Sequence, residues 1–271
     1  MTVFILTAFL AYLAATAYGA MRARQAETQP GGLPQWPMTL LGAAALVLHA
    51  VAIHREVNLP VGLNLGWVTV FSITAWLIGL LSFLSSLRAA TANLAVGIFP
   101  LVGMAVLLLP FARRTSTVLR DLSWQLEMHI LLSVLAYGLL ALAAFQAIVL
   151  AVQHRRLRRH RPGGLLRALP PLAELENLLF HTVTLGFALL SLALLSGLVF
   201  LEDMFAQHLA HKTILSICAW VVFGVLLWGR WRFGWRGRTA ARVTLAGFGL
   251  LALAYFGSKF VLELIKGVHW G

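Results

Sequence analysis

The segment ELENLLFHTVTLGFALLSLALLSG, residues 174–197, decides the fold class. After Glu176 it contains no charged residue, and the uncharged stretch continues to Leu201. A helix needs about 20 apolar residues to cross the hydrocarbon core of a bilayer. The segment therefore predicts a transmembrane helix over residues 175–201.

The rest of the chain repeats this pattern. Of its 271 residues, 60% are hydrophobic and 11% are charged, and the mean hydropathy of +0.86 exceeds what a soluble domain can bury. Apolar runs of about spanning length occur at 2–21, 37–54, 66–87, 92–110, 126–152, 175–201, 211–229 and 240–264. We expect an all-α polytopic membrane protein with about eight transmembrane helices, forming a single integral membrane domain over residues 1–271.

Basic residues set the predicted orientation. The net charge of +12 would suit a nucleic-acid-binding protein, but the Lys and Arg residues cluster in loops between apolar runs, which is typical of membrane topology. Placing the most basic loops, 153–167 and 228–238, inside gives 14 Lys and Arg on the inner side and 7 on the outer side. Both termini are then predicted outside. His154 and His160, in the first of these loops, are expected only to add to its polarity.

Two features narrow the function classes. Cys218 is the only cysteine, which excludes an intramolecular disulfide and a C-x-x-C-H haem attachment site. No arrangement of nucleophile, base and acid indicates a hydrolase, so no catalytic residue is predicted. Because no basic residue precedes the first apolar run, we expect that run to be a retained helix rather than a signal peptide.

The predicted orientation brings imidazoles from three helix ends to the outer side. His54 ends the second span, His129 lies about one turn into the fifth, and His211 begins the seventh, three residues after His208. A neutral imidazole nitrogen is a good ligand for haem iron or another transition metal. The alternative interpretation is that these histidines only cap helix ends or bind water.

Other polar residues within the spans require partners. His129 shares a helix face with Ser133 and Tyr137, at i+4 and i+8, and this polar stripe should face a cavity or a neighbouring helix. His49 and His181 lie deeper in their spans. We expect each of them to hydrogen-bond across a helix interface.

The order of motifs in residues 126–264 resembles the cytochrome c assembly family of haem-handling membrane proteins, of the CcsA, CcmC and CcmF type. The helix MHILLSVLAYGLLALAAF, residues 128–145, is similar to the family helix that begins with an outer haem-ligand histidine. The other matching motifs are Gly186-Phe187, Trp220, Gly234 to Arg238, and Tyr255 to Gly257. The resemblance is strongest to the YpjD-like inner-membrane branch.

This resemblance implies a multi-pass protein of the bacterial inner membrane that binds haem near its periplasmic face and takes part in haem handling or cytochrome c assembly. Its partners would be the lipid bilayer and other cytochrome c assembly proteins, and no nucleic acid. His129 and His211 are the expected iron ligands, with His54 and His208 as further candidates. Lys212 is expected to neutralise a haem propionate.

One segment departs from the family pattern. Residues 199–213 read VFLEDMFAQHLAHKT and contain no tryptophan, whereas the family has a tryptophan-rich segment at this place. The departure motivates an alternative, a non-haem accessory subunit or scaffold of a membrane transport system.

Overall fold

The computed structural model describes residues 2–25, 33–59, 62–87, 92–115, 118–119, 123–158, 169–200 and 210–257. Within these ranges the chain forms the helices α1 (Thr2–Gln25), α2 (Trp36–Val57), α3 (Trp67–Ser86), α4 (Ala92–Val106), α5 (Trp124–Arg158), α6 (Leu172–Phe200), α7 (Ala210–Phe233) and α8 (Gly237–Ala252). The predicted all-α class is confirmed, and each predicted span overlaps one helix. Residue 201 of the sixth span and residues 258–264 of the eighth lie outside the described residues.

Six helices among the described residues are long and apolar enough to cross a membrane: α1, α2, α3, α5, α6 and α7. Helix α8 continues into a π-helical turn at Leu253–Gly257. The chain is therefore a polytopic all-α membrane protein.

Helix α4 is shorter than expected. The fourth span was predicted to reach residue 110, but the α-helix ends at Val106 and a 3₁₀ helix follows at Leu109–Thr115. Pro110 accounts for the difference, because it lacks a backbone N–H and disfavours the α conformation in the residue before it. Pro100 lies inside α4 and does not end it.

A small antiparallel sheet, which was not predicted, lies between helices. Its strands are β1 (Asn58–Leu59), β2 (Gly62–Asn64) and β3 (Val118–Leu119), in the order β1-β2-β3. Strand β2 pairs with β1 through Leu59 and Gly62, and with β3 through Leu63 and Leu119. Strands of two or three residues are too short to show the alternating pattern by which sequence indicates a strand.

The helices form two compact units. The first comprises residues 1–121 with 160–171, and the second comprises residues 122–159 with 172–271. In the first unit α1 packs against α2 and α4, and α3 packs against α2 and α4. In the second unit α5 packs against α6 and α8, and α7 packs against α6 and α8.

Glycines bring the helices of the second unit close together. A Cβ atom on Gly186 of α6 would lie 2.8 Å from Cγ of Leu140 in α5, and one on Gly247 of α8 would lie 2.9 Å from the Phe223 ring in α7. Neither position has room for a larger side chain. Small residues allow this close backbone approach, which supplies much of the packing energy between helices in a membrane.

The connection from α7 to α8 is a tight turn. Gly234 and Gly237 have φ angles of +65° and +55°, which favour glycine. The Gly234 N–H donates to the Arg230 carbonyl at 3.1 Å, and the Trp235 N–H donates to the Gly229 carbonyl at 3.2 Å. The Trp235 ring packs so closely on Gly229 that a Cβ atom there would be 2.5 Å away. The Gly-Trp-Arg-Gly-Arg motif is therefore a helix-ending turn.

Candidate functional site

His129 lies near the start of α5, where it meets the end of α6. Its Nδ1 atom is 3.0 Å from the hydroxyl oxygen of Ser196, and the imidazole is half-buried. Ser196 is buried, and its hydroxyl donates to the Ala193 carbonyl at 2.9 Å. The two helices are antiparallel, because Leu140 and Gly186 also meet across the same interface.

This hydrogen-bond pattern assigns the tautomer of His129. The Ser196 proton is used in the bond to Ala193, so the Ser196 oxygen accepts from Nδ1–H of the imidazole. The Ala193 carbonyl also accepts a hydrogen bond from the imidazole. In the neutral ring with Nδ1 protonated, Nε2 carries the lone pair. Metal-ligating histidines have this arrangement, because a bond to the second ring nitrogen orients the ring and raises its basicity. His129 is therefore a residue that could hold haem iron.

His211 lies at the same end of the second unit. Trp220 donates to Ser191 at 2.8 Å, and Gly224 lies beside Phe187, so α7 runs antiparallel to α6. Extending this register places the start of α7 level with the end of α6. By the same register, the backbone of His211 lies about 6 Å farther along the helix axis than that of His129. This offset is roughly one helical turn.

The structure gives less information about the other predicted site residues at this end of the second unit. Lys212 is half-buried. His208 lies outside the described residues, and the side chain of His211 is not among those described. The structure therefore places the backbone of His211 near the expected site without describing its imidazole.

His54 belongs to the first unit and has a different environment. It is exposed near the end of α2, and its Nδ1 accepts a hydrogen bond from Nδ2 of Asn58 at 2.9 Å. The proton of the neutral ring is then on Nε2. Neither nitrogen presents a free lone pair, so His54 fits an iron ligand less well than His129.

His49 is fully enclosed by the first unit. Its Nδ1 is 3.3 Å from the Tyr12 hydroxyl of α1, and its Nε2 is 2.9 Å from the Ser72 hydroxyl of α3. All three residues have no exposed surface. The predicted hydrogen bonding of His49 across a helix interface is confirmed. Because both ring nitrogens are engaged, this histidine is a structural residue.

The corresponding prediction for His181 is wrong. This residue is exposed on α6, and no described residue is hydrogen-bonded to it. The buried face of α6 runs through Leu179, Val183 and Gly186, at i, i+4 and i+7. A residue two positions after Leu179 is rotated by about 200° around the helix and points away from that face.

The first and last members of the polar stripe of α5, His129 and Tyr137, contact neighbouring elements, as expected. His129 contacts α6, as described above. The Tyr137 ring packs at 5.4 Å from Phe248 of α8 and 6.1 Å from Tyr255 of the π-helical turn, measured between ring centroids. The stripe thus contacts two sides of the second unit.

The metal-ligating side chains of this site suit a cofactor in which the metal already has most of its ligands. Among the described residues, no group of three or more His, Cys, Asp and Glu side chains could hold a bare metal ion. Haem iron needs only one or two axial ligands from the protein. A single oriented imidazole such as His129 meets that requirement.

Sequence reasoning missed Ser196. It is 67 residues from His129 in the chain, and a serine in an apolar span is ordinary. The one signal that could have placed the two residues together is that α5 and α6 are consecutive helices, which often pack as an antiparallel hairpin.

Comparison with known proteins completes these observations. Residues 37–266 match the family described as Cytochrome C assembly protein. The chain is 34% identical over 235 residues to the inner membrane protein YpjD of Escherichia coli strain K12, covering 84% of this chain and 88% of that protein. No solved structure matches it.

Two further relatives match shorter stretches. An uncharacterized 28.8 kDa protein of Azospirillum brasilense is 40% identical over 144 residues, which is 52% of this chain and 53% of that protein. The cytochrome c biogenesis protein CcsA of Synechococcus sp. is 31% identical over 129 residues, which is 42% of this chain and 36% of that protein. The family match also includes α2 to α4, which precede the region 126–264 where the motifs were recognised. The chain therefore belongs to the cytochrome c assembly protein family.

Proposed function

We propose that this membrane protein binds haem through His129 and takes part in haem handling for cytochrome c assembly. The observation that carries the proposal is the His129–Ser196 pair, which leaves Nε2 of an oriented imidazole available as a ligand. Membership of the family supports it. So does the similarity to proteins named for cytochrome c biogenesis.

In this proposal His129 and His211, at the start of α7, would hold the haem iron. His54 and His208 remain further candidates, and Lys212 supplies a positive charge for a propionate. Haem would contribute an iron centre able to change oxidation state. The protein binds and orients it, and the hydroxyl of Ser196 holds the His129 ring in the tautomer that a ligand needs.

The proposed compartment follows from the basic loops. The positive-inside rule places residues 153–167 and 228–238 in the cytoplasm, so His129 and His211 would lie at the periplasmic face of the inner membrane. Reporter fusions after Arg161 and after Arg236 should report the cytoplasm, and a fusion at Gln207 should report the periplasm. The reverse pattern would place the histidines in the wrong compartment.

Absorption spectroscopy tests haem binding. The protein is purified in mild detergent, supplied with haem, and its spectrum is recorded before and after reduction with dithionite. We expect a Soret band whose position or intensity changes in His129→Ala and in His211→Ala. The matched control is His181→Ala, because this exposed histidine lies in the same unit. Absence of any Soret band would reject the proposal and favour the accessory-subunit alternative, whereas an unchanged spectrum in both variants would exclude these two ligands.

A further inference from the structure

A basic cleft opens between α5 and α8, at the end of the second unit opposite to His129. Its volume is about 680 Å³. Its walls are formed by Ala151, His154, Arg155 and Arg158 of α5, and by Arg238, Ala241, Arg242 and Leu245 of α8. The proposed haem ligands are not part of it.

Each wall of this basic cleft is one face of a helix. The lining positions follow the spacing i, i+3, i+4 and i+7 on both α5 and α8. At 1.5 Å per residue each wall is about 10 Å deep. The arginines Arg158 and Arg238 lie at the helix ends, and Ala151 and Leu245 lie farthest from them. The cleft is thus charged at its mouth and apolar in its depth.

The charge of the basic cleft is not balanced by the described residues. Its four guanidinium groups are exposed, and none of them forms a hydrogen bond or an ion pair with a described residue. The carboxylate of Glu176 and the imidazole of His154 both lie beside Gly237, and the carboxylate accepts a hydrogen bond from the Gly237 N–H at 2.8 Å. Four guanidinium charges against one carboxylate leave a surplus of three positive charges.

We propose that the basic cleft binds the phosphate headgroup of an anionic phospholipid. Arginine matches phosphate oxygens with paired N–H donors. The apolar depth fits the first carbons of the acyl chains, and the volume is far larger than a free phosphate ion fills. Basic pockets between helices on the cytoplasmic side of a membrane are suited to anionic lipids. This inference does not depend on haem binding.

The test titrates lipids into the purified full-length protein in a neutral detergent and follows its thermal unfolding. Dioleoylphosphatidylglycerol should raise the unfolding temperature in a saturable way. Dioleoylphosphatidylcholine and inorganic phosphate at the same concentrations should not. Each arginine near the headgroup contributes a factor of about five in affinity, so Arg155→Gln/Arg242→Gln should weaken the apparent affinity by about 30-fold.

The control has the same change in charge at the same end of the second unit. Arg232→Gln/Arg236→Gln removes two exposed arginines that do not line the cleft, and it should leave the affinity nearly unchanged. An equal loss in the control would overturn the proposal in favour of diffuse attraction. Equal stabilisation by phosphatidylcholine or by inorganic phosphate would overturn the assignment to an anionic lipid. If the double variant does not fold, the single variants Arg158→Gln and Arg238→Gln make the same test, each with an expected loss of about five-fold.

Discussion

Replacing His49 by leucine should destabilise the first unit. His49 joins the hydroxyl groups of Tyr12 and Ser72, and all three residues are fully buried. Leucine has a similar size, so the change removes two hydrogen bonds without opening a large cavity. It leaves two hydroxyl groups within an apolar interior.

The magnitude follows from those two bonds. Hydrogen bonds between membrane helices contribute about 0.6 kcal/mol each on average, and about 1.7 kcal/mol at most. A buried polar group left without a partner costs about 1–3 kcal/mol. We therefore expect His49→Leu to lower the free energy of unfolding by about 1–3 kcal/mol. Tyr12→Phe, which removes the longer 3.3 Å contact, should cost less.

The assay is unfolding by SDS in mixed micelles, with the triple variant Tyr12→Phe/His49→Leu/Ser72→Ala as the decisive comparison. The triple variant removes every polar atom of the chain of hydrogen bonds, so it should recover part of the stability lost in His49→Leu. A triple variant less stable than His49→Leu would refute the reasoning, because packing would then outweigh the unpaired hydroxyl groups. The haem spectrum should be the same in all these variants.

Two further perturbations concern the second unit. Ser196→Ala removes the hydrogen bond that orients His129, so it should weaken haem binding by about 10–100-fold in a haem titration. A haem affinity equal to that of the unchanged protein would show that Ser196 is not part of the site. Gly186→Ala places a Cβ atom 2.8 Å from Leu140 and should lower the free energy of unfolding by about 1–3 kcal/mol in the same SDS assay. Gly249→Ala is its control, since no atom lies within 4 Å of the added Cβ atom, and it should be neutral or slightly stabilising. Equal losses in both glycine variants would refute the assignment of the effect to the close approach of Gly186 and Leu140.

The helices were predictable because the bilayer imposes their length and composition. The third span was predicted at 66–87, and α3 occupies Trp67–Ser86. The fifth was placed at 126–152, but α5 extends to Arg158, because arginines favour the C-terminal end of a helix and the window of apolar residues stops before them. Polarity thus marks the membrane boundary and does not mark the helix boundary.

The candidate site was predictable only in part. Imidazoles at helix ends are visible in the sequence, and His129 was singled out from its place in α5. Its partner Ser196 and the resulting tautomer depend on the packing of α5 on α6, which no local pattern encodes. The expectation for His181 failed although helical periodicity contained the answer: the face of Leu179 and Val183 is the buried one.

The basic cleft illustrates the same limit. His154 was expected only to add to the polarity of its loop. The arginines of that loop were counted only for the orientation of the chain. The structure adds that Arg155 of α5 and Arg242 of α8 line one cavity. Orientation and binding are therefore compatible roles for the same charges.

The tight turn between α7 and α8 has a consequence for how the protein enters the membrane. Three residues, Gly234 to Arg236, separate the two helices, and Trp235 is packed onto Gly229. Because the ends of α7 and α8 are this close, we expect the pair to enter the membrane together, as one helical hairpin with a basic apex. Replacing Gly234, whose φ of +65° shapes that apex, would therefore change the yield of correctly inserted protein before it changed the stability of the protein already in the membrane.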